Sequence, residues 1–564
     1  MQRLLIALLL PAFCSLTASA ASDEAFRRLV GACEENPIDA TWLITNPSFE
    51  TGDISGWTVS CNDAPFLEND PEVAARRDYT MSGKEGDWLF NAYRWWAASL
   101  SIGQDIAEVP SGEYRLTATV CTWEGRNVYL AANGATASAT GQGDQTGIRV
   151  SLSLSVGLDG VLKIEAGSNA QWWIGGHEGE TQTFFKLDDL RLTCTRLFDT
   201  RQLGSFTAAA LNVDGLPETI LGVIKVNEGG PGSDGTKLIS RYLAEKAYDI
   251  IGVSEDFNYH GSLMTALSSN YACGTHRGSI SLSDFSYPFD TDGLNLLWKL
   301  SAASATNESW TRWTSTTSTD GNQYVKKGFR HYDVYVCGGQ AIDVYVLHMD
   351  AGDAISSREA QWRQLADAIN SANASRPKLV IGDTNSRWTR EDIRTNFCQR
   401  LTLYDVADPW ALLWRNGVTP TTDMADLTDE TDVADLSRYE VVDKILLINP
   451  IADGLKLYPA SFRIEQDYTY GHVNGTDESK WLGDHRPVVV DIRLADVHEV
   501  TTVVGDVNRD GDITIADVTA LVNIILGKDD AEPHAYDHRA ADTYRDGDIT
   551  IADVTALVNI ILDK

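Results

Sequence analysis

LVIGDTNSRW, Leu379 to Trp388, is the stretch from which the fold is read. A short apolar run ends at Gly382, and Asp383 and Asn385 follow one residue apart. An unbroken apolar run of this length suits a strand buried on both faces. An Asp just after a strand is by itself an ordinary turn former or helix cap. The reading changes because the same arrangement recurs along the chain.

SFTAAALNVDGLP carries Asn212 and Asp214 at the end of a strand-like run, and helix-like KLISRYLAEKA then leads into YDIIGVSEDF, where Glu255 ends the run. IDVYVLHMDAG delivers His348, YEVVDKILLINP delivers Asp443, and WLGDHRPVVVDI delivers Asp484 and His485. Six apolar strands that each place a polar group at or near an end, in regular order, are hard to explain by turn chemistry alone. The donors are carboxylates and amides with little clustered His or Cys, which suits Mg²⁺ or Mn²⁺ and argues against zinc. Hydrolysis of a phosphate ester asks for such a set: a hard cation, a water aligned in line, and a proton acceptor.

Together these phrases resemble the endonuclease/exonuclease/phosphatase superfamily, whose signatures stand here as NVDG, a lone strand-end Glu, H-x-D after a strand, GDTN and GDH. The resemblance spans residues 204–495 and implies a four-layer α/β sandwich with two sheets face to face between helices. It also implies a metal-dependent phosphoric ester hydrolase. By that resemblance Glu255 is the principal metal ligand, with Asn212, Asp214 and Asp484 completing the metal site. Asp383 and Asn385 orient the nucleophilic water and the scissile phosphate. His485, tuned by Asp443, is general base or phosphate stabiliser, and His348 hydrogen-bonds the phosphate or protonates the leaving oxygen. Which histidine is acid and which is base is open at this level, because a pair coupled through one phosphate titrates jointly. His260, His331 and His472 lack a motif around them and read as ordinary surface or packed histidines.

At 564 residues the chain is too long for one core, so several modules are expected. The last is written as a repeat: DGDITIADVTALVNIIL occurs at 510–526 and again, letter for letter, at 546–562. Asp506, Asn508, Asp510, Gly511, Asp512, Thr514 and Asp517 occupy positions 1, 3, 5, 6, 7, 9 and 12 of a calcium loop. In the second copy Asp542, Asp546, Asp548, Thr550 and Asp553 match, but Tyr544 stands where Asn508 does. Val518, Leu521, Val522, Ile525 and Leu526 give the following segment one apolar helical face. A calcium loop followed by a helix, duplicated over 501–564, resembles a dockerin, which implies bound Ca²⁺, a small α-helical module and a cohesin-bearing protein as partner.

The front of the chain, 41–196, reads as a β-sandwich. GEYRLTATVCTW and GVLKIEAGS alternate like strands with one buried face. Its opening NPSFETGDISGW and closing LDDLRL resemble galactose-binding-like jelly rolls, which implies a glycan as ligand. Trp88, Trp95, Trp96, Trp123, Trp172 and Trp173 either stack sugars or pack the core.

Residues 1–20 read as a secretory signal, with Arg3, an apolar stretch too short to span a bilayer, and Ala18-Ser19-Ala20. Bulky Phe13 speaks against lipid attachment at Cys14. An extracellular or cell-surface location follows. Seven further cysteines, widely spaced and without CxxC, read as a few structural disulfides or free buried thiols. The formal net charge of −34 repels polyanions, so no stable nucleic-acid complex is expected. A phosphodiesterase of sphingomyelinase/phospholipase C type, acting on a lipid headgroup, therefore leads. An extracellular endonuclease and a phosphatase of inositol or sugar phosphates are the alternatives.

Overall fold

The computed structural model describes residues 25–26, 28–29, 31–34, 36–62, 72–95, 99–169, 171–172, 181–220, 224–225, 227–280, 289–425, 427, 435–500, 503–528, 536–544 and 548–562. Residues 1–20, read above as a secretory signal, lie outside them. The molecule is multidomain and rich in β-structure. Its chain contacts divide it into Met1–Thr200 with His498–Lys564, and Arg201–Val497.

The central unit is built on two sheets. Strand β1 (Thr181–Asn212) begins in the front unit, and its last residues enter the first central sheet. The others are β2 (Ile250–Ser254), β3 (Tyr271–Cys273), β4 (Asn295–Lys299), β5 (Ser304–Arg312), β6 (Gly328–Val336), β7 (Gln340–His348), β8 (Lys378–Asp383), β9 (Tyr404–Ala407), β10 (Asp443–Pro450), β11 (Gly454–Ile464) and β12 (Val488–Glu499). One sheet runs β3-β4-β2-β1-β12-β11 and the other β5-β6-β7-β8-β10-β9.

Alternation along the strands explains the stacking. Ala208, Ala210, Ile250, Leu296, Val488 and Val490 share one core with Val344, Val346, Leu379, Ile381 and Leu446 of the other sheet. Residues of the opposite register, Ala209, Leu211, Ile251, Val253, Leu297 and Val489, pack against Ile239, Tyr242 and Leu243 of helix α1 (Gly232–Lys246). Helix α3 (Ile355–Asn370), which follows the single-turn α2 (His260–Leu263), contributes Trp362, Leu365, Ala366 and Ile369 to the first core. Trp362 is fully buried; truncating a buried Trp to Ala typically costs about 3–5 kcal/mol. Gly252 faces the other sheet so closely that a Cβ there would run into Ile381. It lets the layers meet just beneath the strand ends that carry the polar residues.

In the front unit one five-stranded sheet pairs Thr58–Asn62, Ser99–Ile106, Leu162–Asn169, Asn127–Ala132 and Ala135–Thr140 in that order. Further antiparallel pairs join Gly112–Cys121 to Ile148–Val156 and to the first part of β1. One core, with Phe49, Phe90, Leu116, Leu152, Ile164 and Phe185, draws on both sets. Trp123 stacks on Phe184 with centroids 5.0 Å apart, and Trp88 packs against that core. Trp96 and Trp173 lie outside the described residues, as do the side chains of Trp95 and Trp172. Cys33, Cys121, Cys273, Cys337 and Cys398 are free thiols.

At the C-terminal end, helices α4 (Ile515–Ile525) and α5 (Ile551–Leu562) close a small core of Val507, Ala520, Leu521, Ala541 and Leu557.

Candidate active site

Strand register brings the polar ends together. In β7 and β8, which run parallel, His348 is level with Asp383; in antiparallel β8 and β10, Asp383 is level with Asp443. On the facing sheet Asn212 of β1 is level with Ser254 of β2, directly before Glu255. The sheets are tied at this end by Ser254, whose Oγ donates to the Leu347 carbonyl at 3.2 Å and accepts from the Asp383 N–H at 3.3 Å.

Asp383 is the hub. Its Oδ2 accepts from Asn212 Nδ2 at 3.2 Å and lies 3.5 Å from His348 Nε2 and 3.9 Å from His485 Nε2. Its Oδ1 accepts from the Asn385 N–H at 2.9 Å. His485 Nδ1 pairs with Asp443 Oδ2 at 2.6 Å, and Glu255 Oε1 lies 4.0 Å from His348 Nε2. Asp214, whose N–H donates to Asn212 Oδ1 at 2.9 Å, lines a cavity of about 290 Å³ together with Asp484, Tyr470, Lys480 and Trp481. Every residue singled out for the central chemistry therefore lies at this one end of the two sheets. Asp484 alone is solvent-exposed, at the cavity wall.

Three of them, Asp214, Glu255 and Asn385, hold left-handed backbone conformations with φ of 50°, 60° and 48°. Such a conformation is uncommon outside glycine, and it is retained where surrounding structure over-determines it. The glycines of the motifs supply that structure. A Cβ on Gly215 would strike the Glu255 carbonyl, and one on Gly382, at φ +146°, would strike the Leu347 carbonyl. NVDG and GDTN thus need glycine so that main chains can close up behind the acids.

The charges are set by burial and by each other. Burial drives the Glu255 carboxyl up to about 7. Burial also opposes ionisation of Asp383, but His485, His348 and Lys327 outweigh it and hold that carboxyl below the usual range. His485 is itself desolvated, yet Asp443 and Asp383 keep its imidazole protonated well above the ordinary histidine range. Burial, followed by the neighbouring Lys327 charge, pushes His348 down to about 3.

Lys327 was not legible as a site residue. Its buried Nζ sits 2.9 Å from His348 Nε2 and donates to the Met349 carbonyl at 3.0 Å. With the ammonium donating, His348 Nε2 is an acceptor, and its proton lies on Nδ1, which finds no hydrogen-bond partner among the described residues. The usable signal was alternation: carried back from Phe329, period two puts Lys327 of KKGFR on the Phe329 face. Asn227, which holds Asp214 Oδ1 at 2.6 Å, carried no comparable signal.

The donor set fits a hard divalent cation. Glu255, Asn212, Asp214 and Asp484 offer only oxygen or amide groups, Glu255 is displaced toward neutrality, and buried Asp443 Oδ1 has no hydrogen-bond partner among the described residues.

The first C-terminal loop satisfies the same test with local donors. Asp506, Asp510 and Asp517 bring carboxylate oxygens within 4.8 Å of one another. Buried Asp517 accepts from the N–H groups of Asn508 at 3.0 Å and Thr514 at 2.7 Å. Asp553 repeats this with Tyr544 at 2.9 Å and Thr550 at 2.8 Å. Asp512, Asp542 and Asp548 are described as well, whereas Asp546 lies outside the described residues.

Residues 504–562 match the dockerin type I domain, and the chain ends in a dockerin. Over 287 residues, 51% of its length, it is 26% identical to the sphingomyelinases of Mycobacterium bovis and Mycobacterium tuberculosis. It spans about half the length of these curated relatives, 52%. Solved structures similar to it include the human Nocturnin catalytic domain (16% identity, 53% of this chain and 97% of that one, TM-score 0.36). Another is an endonuclease/exonuclease/phosphatase from Bacteroides vulgatus (13%, 51% and 98%, TM-score 0.35).

Proposed function

We propose that the central unit, residues 204–495, is a four-layer α/β metallohydrolase that cleaves a phosphodiester, and that its substrate is a sphingomyelin-type lipid headgroup. The observation that carries this reading is the Asp383 hub: one ionised carboxylate between two histidines, a lysine and an amide, beside the oxygen-rich pair Glu255 and Asn212. The similarity to sphingomyelinases and the strongly acidic chain favour a zwitterionic headgroup over a polyanion.

Glu255, Asn212, Asp214 and Asp484 would hold Mg²⁺ or Mn²⁺, which supplies charge neutralisation at the phosphate and leaving oxygen. Asp383 is the proton acceptor for the attacking water, because its neighbours keep it ionised despite burial. Asn385 orients that water. His485, held as an imidazolium by Asp443, faces the phosphate as an electrostatic clamp rather than as a base. Lys327 presents a second positive charge, and His348 positions Lys327 by accepting its hydrogen bond. The front module, 41–196, is assigned as a galactose-binding-like jelly roll with glycan as ligand. The dockerin, 501–564, binds Ca²⁺ and docks to a cohesin on an extracellular partner, and residues 1–20 direct export.

Assaying the purified chain with Mg²⁺ or EDTA against sphingomyelin vesicles, plasmid DNA and inositol phosphates tests this. Release of phosphocholine, lost in EDTA and in His485→Ala, is expected. Plasmid nicking without lipid turnover would overturn the lipid substrate, and no turnover of any ester by metal-loaded protein would overturn the enzyme.

A further inference from the structure

Beside α2, at the β3 end of its sheet, lies a second constellation that the phosphoester chemistry does not use. Asp256 is buried, and its Oδ2 pairs with His260 Nδ1 at 2.6 Å while accepting from Asn295 Nδ2 at 3.1 Å. That bond turns His260 Nε2 toward Cys273, whose Sγ lies 3.9 Å away. The His276 ring stacks on His260 with centroids 4.5 Å apart and planes inclined by 14°, and its Nε2 is engaged by the main-chain carbonyls of Asp256 at 3.1 Å and Phe257 at 2.9 Å.

These are a thiol, a base and a group that orients the base, in hydrogen-bonded series, which is the arrangement that activates a nucleophile. Asp256 places the His260 proton on Nδ1, leaving Nε2 to take the thiol proton, and its carboxylate then stabilises the imidazolium beside the thiolate. The groups facing His260 are Asp256, Cys273 and the stacked His276; hydrogen bonds from Asp256 and then Cys273 raise its imidazole to about 10, so at pH 7 Nε2 retains the proton it takes from the thiol. Both ends are reachable, since Cys273 is half-buried and the His260 side chain is 21% exposed. Cys121, Cys194 and Cys398 contrast with this. Cys121 and Cys194 are buried, and burial pushes the thiols of Cys121 and Cys398 up to about 11. A shared metal ion is a poorer explanation, because two parallel stacked imidazoles cannot both aim in-plane lone pairs at one ion without moving.

We propose that Cys273 is a reactive thiol and a modification site for small disulfides, with His260 as its base and Asp256 as the positioning residue. The Cys273 thiolate attacks one sulfur of R–S–S–R; a new S–S bond forms to give protein–S–S–R, the original S–S bond breaks, and its other half leaves as RS⁻. The thiol proton passes to His260 Nε2 and from there to the departing thiolate. The electron count closes with the disulfide as sole oxidant. This assignment is independent of the phosphoesterase reading.

The test is competitive alkylation of the folded full-length chain with iodoacetamide, read cysteine by cysteine by peptide mass spectrometry across pH, with a parallel incubation in oxidised glutathione. At pH 7 Cys273 is expected to label roughly ten-fold faster than every other cysteine, with its inflection at lower pH, and to carry glutathione. His260→Gln, checked for an unchanged melting temperature, should slow Cys273 alone; should that variant fail to fold, the wild-type pH profile decides. Labelling of Cys273 at the rate and inflection of the other half-buried thiols would overturn the proposal. So would stoichiometric copurifying zinc whose chelation is needed before Cys273 reacts.

Discussion

The protein gathers oxygen-rich donors in two places, and the two sets are assembled in opposite ways. In the dockerin the carboxylates of Asp506, Asp510 and Asp517 come from one loop, and local backbone N–H groups orient them. In the central unit Asn212, Glu255, Asp383 and Asp443 come from four strands of two sheets, and a side chain from one sheet hydrogen-bonds one from the other. A loop of contiguous ligands can be strengthened or weakened one residue at a time. A site spread over two sheets depends on the packing of the whole unit, so its residues are coupled.

The largest expected effect probes that coupling. Asp443→Asn keeps size and shape but removes the charge that holds His485 as an imidazolium, and we expect hydrolysis to fall by roughly 10²–10⁴-fold with the melting temperature nearly unchanged. A loss below about three-fold would show that His485 acts without its partner, and the contrast between local and distributed sites would weaken.

An intermediate effect separates buried carboxylates in the proposed cation sites from one outside them. Asp188 of the front unit is fully buried, one of its oxygens lacks a hydrogen-bond partner among the described residues, and burial raises it to about 7. Its folded value lies above the unfolded one, so its stabilising contribution is complete below about pH 4 and is lost as pH rises through about 7. Asp188→Asn should therefore stabilise the front unit at pH 8 by roughly 2–4 kcal/mol and remove that slope, as denaturant melts at pH 4 and 8 would show. An unchanged slope would place the strain elsewhere.

The smallest effect compares the calcium loops. Tyr544 is 65% exposed and leaves the second loop without the side-chain oxygen that Asn508 offers the first. Tyr544→Asn should tighten calcium at that loop several-fold, with loop one unaffected, by calorimetric titration. Equal affinities in the wild-type chain would mean that water replaces the missing ligand fully.

The legibility of each site follows from its construction. The loop spacing at 506–517 is a covalent fact, and so were the glycine of NVDG and the Asp and Asn of GDTN. Lys327 is different: it enters from ahead of β6, and nothing in KKGFR says that its ammonium meets His348, 21 residues further along. The same holds for the direction of charge. Two histidines at strand ends look equivalent as letters, yet Asp443 holds one protonated while burial and Lys327 hold the other neutral. In the sequence His260 reads as an ordinary histidine and Cys273 as one of seven scattered cysteines, and only the placing of β3 beside α2 joins them to Asp256.

By itself, the sequence determined what periodicity and spacing can carry: buried strands ending in polar groups, a duplicated loop-helix module, and donors suited to a hard cation. Those properties depend on residues close along the chain. Only the tertiary structure decided which strand ends share a level, which histidine is charged, which lysine reaches the hub and which cysteine meets a base. These depend on register and burial, and the electrostatic energy that sets them varies with distances no local pattern encodes.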